Sequence, residues 1–358
     1  MLDAKRIMQL DGFRAVAALM VFASHAFHSQ LLWSGVDLFF VLSGFLITGV
    51  LLELRRSRSW RSYIAFFYAR RSRRILPPYV LFLAVTSVLF GVGWARRWYL
   101  YLFLMNAPTF LPSAPYAHGI LWSLAVEEQF YLIWPIIVYV LDEAVLAWLS
   151  AGLIIAAPLL RWITTAFVPH HWPIYTGTPF RMDLLAAGAL IALAWRHHRA
   201  VVVRLGHYAF WFAAAVAISL CLLSLHPWFQ PGADTVLVNV WLYEMIVLGY
   251  ASALLWALSG RWVGFLRTAP MVYLGQISYS VYLIQLAAIA VMRRFIGHNK
   301  MAALTALAVT LCYAAVSWKW IEQPILRRNK INATRDHGST SLAHGDPNPV
   351  RQPPHKGG

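Results

Sequence analysis

Cysteine is almost missing from this chain. Its two cysteines, Cys221 and Cys312, lie inside apolar runs without partner spacing. That excludes a disulfide framework or a cysteine-based zinc site. Acidic residues are also scarce, 14 Asp and Glu against 30 Lys and Arg, which leaves a net charge of +16. No cleavable leader is evident. Residues 1–9 are polar, and the apolar run that follows lacks a convincing small-residue cleavage site, so it reads as a retained anchor. No internal repeat is visible, which tells against a transporter assembled from repeated halves.

What the chain has in abundance is apolar side chains: 60% of its residues are hydrophobic and 17 are Trp. With a mean hydropathy of +0.59, a soluble domain would leave too much of this surface wet. The expected fold is all-α, a polytopic membrane protein of about ten transmembrane helices. Spans of roughly 20 residues fit near 11–30, 35–53, 75–94, 119–141, 144–165, 182–196, 208–226, 236–258, 271–292 and 301–320. The excess of Arg falls in alternate short loops, among them 55–74, 196–204 and 261–267. This bias argues for topology and against nucleic acid, and it predicts both termini on the cytoplasmic side. Residues 98–111 are apolar but too short to span, so they are expected to be re-entrant or interfacial. Residues 1–328 form one membrane domain, followed by a polar, disordered cytoplasmic tail over 329–358.

Several ionisable residues fall inside these apolar segments, where they are costly and by default functional. Arg14 and His25 lie eleven residues apart in LDGFRAVAALMVFASH. On a helix they share one face, about 16 Å apart along the axis. Asp37 begins the next span and is expected near the level of His25. FFYARRSRRILPPY puts Arg70, Arg71, Arg73 and Arg74 at the mouth of the third span, where guanidinium forks suit a phosphorylated donor. Glu127 and Glu128, adjacent in LWSLAVEEQFYLIWP, point about 100° apart, so only one can face a given spot. A carboxylate near His25 would hold its tautomer. Ser43, before Gly44 in VLSGFL, is open to a binding role or to a packing contact. His25 and His28 have helical spacing for a metal pair but no third ligand, so no metal is expected. His170 and His171 suit an interfacial belt better than an acceptor groove. Arg181 and Asp183 sit beside a small-residue face, and Glu322 reads as an interfacial charge.

Taken in order, these motifs, with FRMDLLAAGAL, ISYSVYLIQ and WIEQPILRR, resemble the membrane acyltransferase family 3, the integral-membrane O-acyltransferases that include O-antigen acetylases. The resemblance covers nearly all of the first 328 residues. It implies transfer of an acyl group, usually acetyl, from cytosolic acyl-CoA to a hydroxyl of a carbohydrate or glycoconjugate at the outer face of a bacterial inner membrane. It marks Arg14 and His25 as essential and associates Arg71 and Arg74 with the CoA side, where Arg70 and Ser43 are further candidates. His25 is then the expected general base or an acyl carrier, with Asp37, Glu127 or Glu128 orienting it. One departure is Gln285, where relatives often carry His. Relatives with an additional esterase-like domain exist, and this chain is expected to act without one or with a separate partner. The rival expectation is a proton-coupled transporter or flippase using Arg14, His25 and Glu127 as a relay.

Overall fold

The computed structural model describes residues 7–29, 31–91, 94–106, 116–168, 172–226, 229 and 235–327. Ten helices are long and apolar enough to cross a membrane, and no strand occurs among the described residues. Each span expected from hydropathy falls on one of the ten. The tail beyond 328 and His170–His171 lie outside the described residues.

Local chemistry sets the boundaries. Helix α1 (Met8–Phe27) stops at His28, which turns left-handed at φ 56°. A 3-10 turn over Leu32–Ser34 leads into α2 (Gly35–Ser57). Helix α3 (Trp60–Phe90) ends at Gly91, where φ of +60° suits a residue without a side chain. Residues 94–106 form 3-10 and other turns rather than a span, and the rest of the short apolar segment, 107–111, lies outside the described residues. They are anchored by the Tyr79 hydroxyl, which donates to the Leu100 carbonyl at 2.7 Å. Helix α4 (Leu121–Val140) is followed by α5 (Glu143–Thr165), whose first turn is capped by Asp142 accepting from the Val145 amide. A short α6 (Trp172–Thr176) precedes α7 (Met182–His197) and α8 (Arg199–Leu223). A π turn at Leu237–Leu242 opens α9 (Tyr243–Ser259). Helix α10 (Ala269–Ile296) and α11 (Lys300–Ser317) complete the bundle, and a second π turn, Trp318–Glu322, extends α11.

Helices α2 and α10 are the most buried of the ten, while α5 and α8 are the least. The peripheral pair expose Trp148, Ile155, Trp211 and Phe212, as side chains facing lipid tails should. Cys221 and Cys312 are likewise exposed and unbonded on α8 and α11. Two crossings position the centre. Where α2 meets α7, a Cβ on Gly44 would land on the Leu185 carbonyl, and one on Gly188 would land on the Val41 carbonyl. The two backbones touch through reciprocal glycines. Helices α1 and α10 run parallel and in register: Gly275 sits on the Asp11 carbonyl, and Ile289 packs with Phe22 and Ala26.

Candidate active site

A partly open cavity lies between α1, α2, α3, α4 and α10. Its polar lining includes Arg14, Ser43, Arg71, Glu127, Tyr131 and Tyr282. Five different helices therefore bring charged or hydroxylated groups to the same space, α4 supplying two of the six. Ser43 Oγ donates to Glu127 Oε1 at 2.5 Å, and the Tyr131 hydroxyl also bonds that carboxylate. The Arg71 guanidinium stacks on the Tyr131 ring, 4.2 Å from its centroid, a cation–π contact that fixes the fork's plane. Arg74 faces Arg14 and Arg71, and the three guanidiniums are balanced by Glu127, Glu322 and Asp11. Arg14 Nε is buried with no hydrogen-bond partner. Such an arrangement offers donors to an anion that enters the cavity.

Of the two adjacent glutamates, Glu127 lines the cavity and Glu128 does not. Glu128 faces Arg71, Tyr79 and Tyr279 instead, the divergence that a helical doublet imposes. Ser43 bonds Glu127 in the cavity lining, while Gly44 beside it makes the α2–α7 packing contact. Arg70 is exposed, whereas Arg71 lines the cavity.

His25 lies elsewhere. It is half-buried in the last turn of α1 and is not among the cavity lining. Arg293 of α10 holds this turn: its Nη2 donates to the His25 carbonyl at 3.1 Å and the Ala26 carbonyl at 3.0 Å, and lies 3.3 Å from His28 Nε2. Arg14 and His25 thus mark two levels of one helix, about 16 Å apart.

Asp37 does not reach the level of His25. A Cβ on Gly35 would meet the Ala17 carbonyl, Met20 and Val21, so α2 starts well below the top of α1, and Asp37 is deeper still. The 3-10 turn at Leu32–Ser34, tied by Ser34 Oγ to the Leu31 carbonyl at 2.7 Å, brings the chain down before α2 begins. Asp37 instead pairs with Arg181 Nη1 at 3.1 Å, both residues being buried. Arg181 is stacked on Tyr243 and Tyr175, at 4.3 and 4.7 Å from their ring centroids. Burial raises the Tyr175 hydroxyl well above its usual pKa, so it stays protonated. Nearby, Arg161 pairs with Asp183 at 2.7 Å and with Glu244.

Glu322 is a second residue that sequence reasoning misplaced. It is buried, not interfacial, and accepts from Ser280 Oγ at 2.7 Å and Ser317 Oγ at 3.0 Å. The π turn that ends α11 aims it inward toward Arg74. The available signal was its place in WIEQP, directly after an apolar span, but burial there depends on α10. Among the described residues, no group of three His, Cys, Asp or Glu could hold a metal ion.

Ten apolar helices, five of which line a charged internal cavity, define a multi-pass membrane protein with a buried polar site. Comparison with known proteins supplies the family. The profile described as "Acyltransferase domain" matches residues 7–318, and the chain belongs to that family, the membrane acyltransferases of family 3. It is 30% identical to the peptidoglycan O-acetyltransferase OatA of Listeria monocytogenes, over 92% of this chain and 57% of that protein. It is 28% identical to YrhL of Bacillus subtilis, provisionally assigned the same activity, over 88% of this chain and 54% of that one. A provisionally assigned O-acetyltransferase of Staphylococcus aureus is 24% identical, over 90% and 58%. The chain thus spans little more than half the length of these relatives. No solved structure matches it.

Proposed function

We propose that this protein is an acyl-CoA-dependent O-acyltransferase of a bacterial inner membrane. It would move an acyl group, acetyl in the first instance, to a hydroxyl of a carbohydrate or glycoconjugate at the outer face. The observation that carries the reading is that Arg14 and Arg71 line one accessible cavity with Arg74 facing both, Arg14 being on the helix that also bears His25. Arg14 and Arg71 line that cavity and would hold the donor's phosphates, Arg71 in a plane fixed by Tyr131. Glu127 and Glu322 counter the mutual repulsion of the three cations in the donor's absence.

The donor's arm would then extend along α1 toward His25. There the acceptor oxygen attacks the thioester carbonyl while His25 takes its proton. As the carbon–sulfur bond breaks, the thiolate recovers that proton from the imidazolium, leaving an ester and free CoA. A variant in which His25 carries the acyl group balances equally. Asp37 has no part in orienting His25 here, because its charge is committed to Arg181. The O-acetyltransferase names of the relatives support the class of reaction, and the peptidoglycan named for OatA supports a glycan acceptor.

The test is acyl-CoA turnover by the purified protein in lipid vesicles supplied with membrane glycans. Arg14→Ala and His25→Ala should each abolish transfer while still inserting and folding. Normal acceptor acylation by either variant refutes the assignment, and acceptor-linked proton flux without acyl-CoA consumption points to a transporter.

A further inference from the structure

Gln285 is fully buried on α10, and neither its amide nitrogen nor its carbonyl oxygen has a partner among the described residues. It is an exception on its own helix. Ser278 bonds the Gly275 carbonyl, Tyr279 the Ile75 carbonyl, Ser280 the Glu322 carboxylate, and Tyr282 both Ser123 and the Ile120 carbonyl. A buried amide with both functions unmade is costly, and native proteins rarely keep one without a reason.

Its position supplies the reason. At about 100° per residue, Ser278, Tyr282, Gln285 and Ile289 fall within an arc of about 60° on α10. Ser278 and Tyr282 line the cavity, whereas Ile289 packs at the last turns of α1 with Phe22 and Ala26. Gln285 is therefore one turn beyond the cavity lining, on the stripe that leads to the turn holding His25. An unpaired carboxamide presents one acceptor and two donors. The ligand it complements is one that brings both a carbonyl and an N–H, which is a secondary amide.

We propose that Gln285 is the docking point for an amide of the donor's pantetheine arm, holding the arm between the arginine cluster and His25. This rests on the acyl-CoA reading given above. Binding through the phosphates alone leaves a long flexible arm free. A fixed point partway along would restrict the thioester to the His25 level, and the amide's own hydrogen bonds would be completed only when donor is present.

The experiment is a double cycle of binding in lipid nanodiscs, read by calorimetry. The probes are CoA and a CoA analogue with esters in place of the arm's amides, each against wild type and Gln285→Leu. Leu matches the volume and removes the unpaired polar atoms, so folding should persist, and Gln285→Met serves if it does not. CoA should bind the wild type at least tenfold more tightly than the variant, whereas the ester analogue should bind the two within about threefold. Equal affinity of CoA for both proteins, or an equal loss with both probes, overturns the proposal. A wild type that binds no CoA overturns the donor reading itself, and this inference with it.

Discussion

At the scale of single residues, the site is governed by how each buried charge is compensated. Asp37 and Arg181 are each about 1% exposed and pair directly. Removing one partner of such a pair strands the other, at a cost of about 3–5 kcal/mol. Asp37→Ala should therefore lower thermal stability in detergent sharply, and Asp37→Leu combined with Arg181→Met should restore much of it. A catalytic Asp37 would give the reverse pattern, with stability kept and turnover lost. Arg71 is a different case, because the cavity leaves its guanidinium accessible while the Tyr131 ring sets its plane. Lys carries the charge but neither forks nor stacks as Arg does. Arg71→Lys should weaken donor binding by about tenfold, a loss of about 1.4 kcal/mol, with no change in melting temperature. Unchanged affinity would remove Arg71 from the donor site. These residue types were legible in the sequence as expensive groups in apolar helices. Their partners were not, because Asp37 and Arg181 are 144 residues apart and nothing local ties them together.

At the scale of helices, the decisive feature is how closely pairs approach. Gly44 and Gly188 allow α2 and α7 to meet backbone to backbone, and this fixes Ser43 opposite Glu127. Gly188→Val should therefore prevent folding, since the Val41 carbonyl occupies the space of the new side chain. Gly49 lies on the same α2 with open space where its Cβ would be. Gly49→Ala should be tolerated and should raise stability by up to about 1 kcal/mol, the helix-propensity gain. Yield of folded protein after size-exclusion chromatography would distinguish the two, and equal yields would remove the close-packing argument. The small-residue face of α7 was readable from AAGAL. The depth at which α2 begins was not, because it depends on the turn before it, and this is why Asp37 falls short of His25. Glu322 fails for a related reason: hydropathy ends the last span near it, but the π turn and two serines on α10 and α11 draw it inside.

At the scale of the whole molecule, hydropathy predicts the number of spans because each helix must satisfy its backbone within the bilayer. Sidedness is a separate matter, set by charge bias in the loops. The last turn of α2, the first turn of α3 and the short connection between them carry Arg55, Arg56, Arg58 and Arg61, and Arg71 on that same α3 lines the cavity. If that end faces the cytosol, acyl-CoA meets the arginine cluster from the compartment that supplies it, and His25 lies toward the outer surface. Ser59 and His298 are both exposed, in the α2–α3 and α10–α11 connections. With Cys221 and Cys312 replaced by Ser, a membrane-impermeant maleimide added to intact spheroplasts should label His298→Cys and spare Ser59→Cys. Lysis should expose both. The opposite pattern would put the arginine cavity on the outer side, where no acyl-CoA is available, and the donor would then have to be an acyl carrier other than CoA.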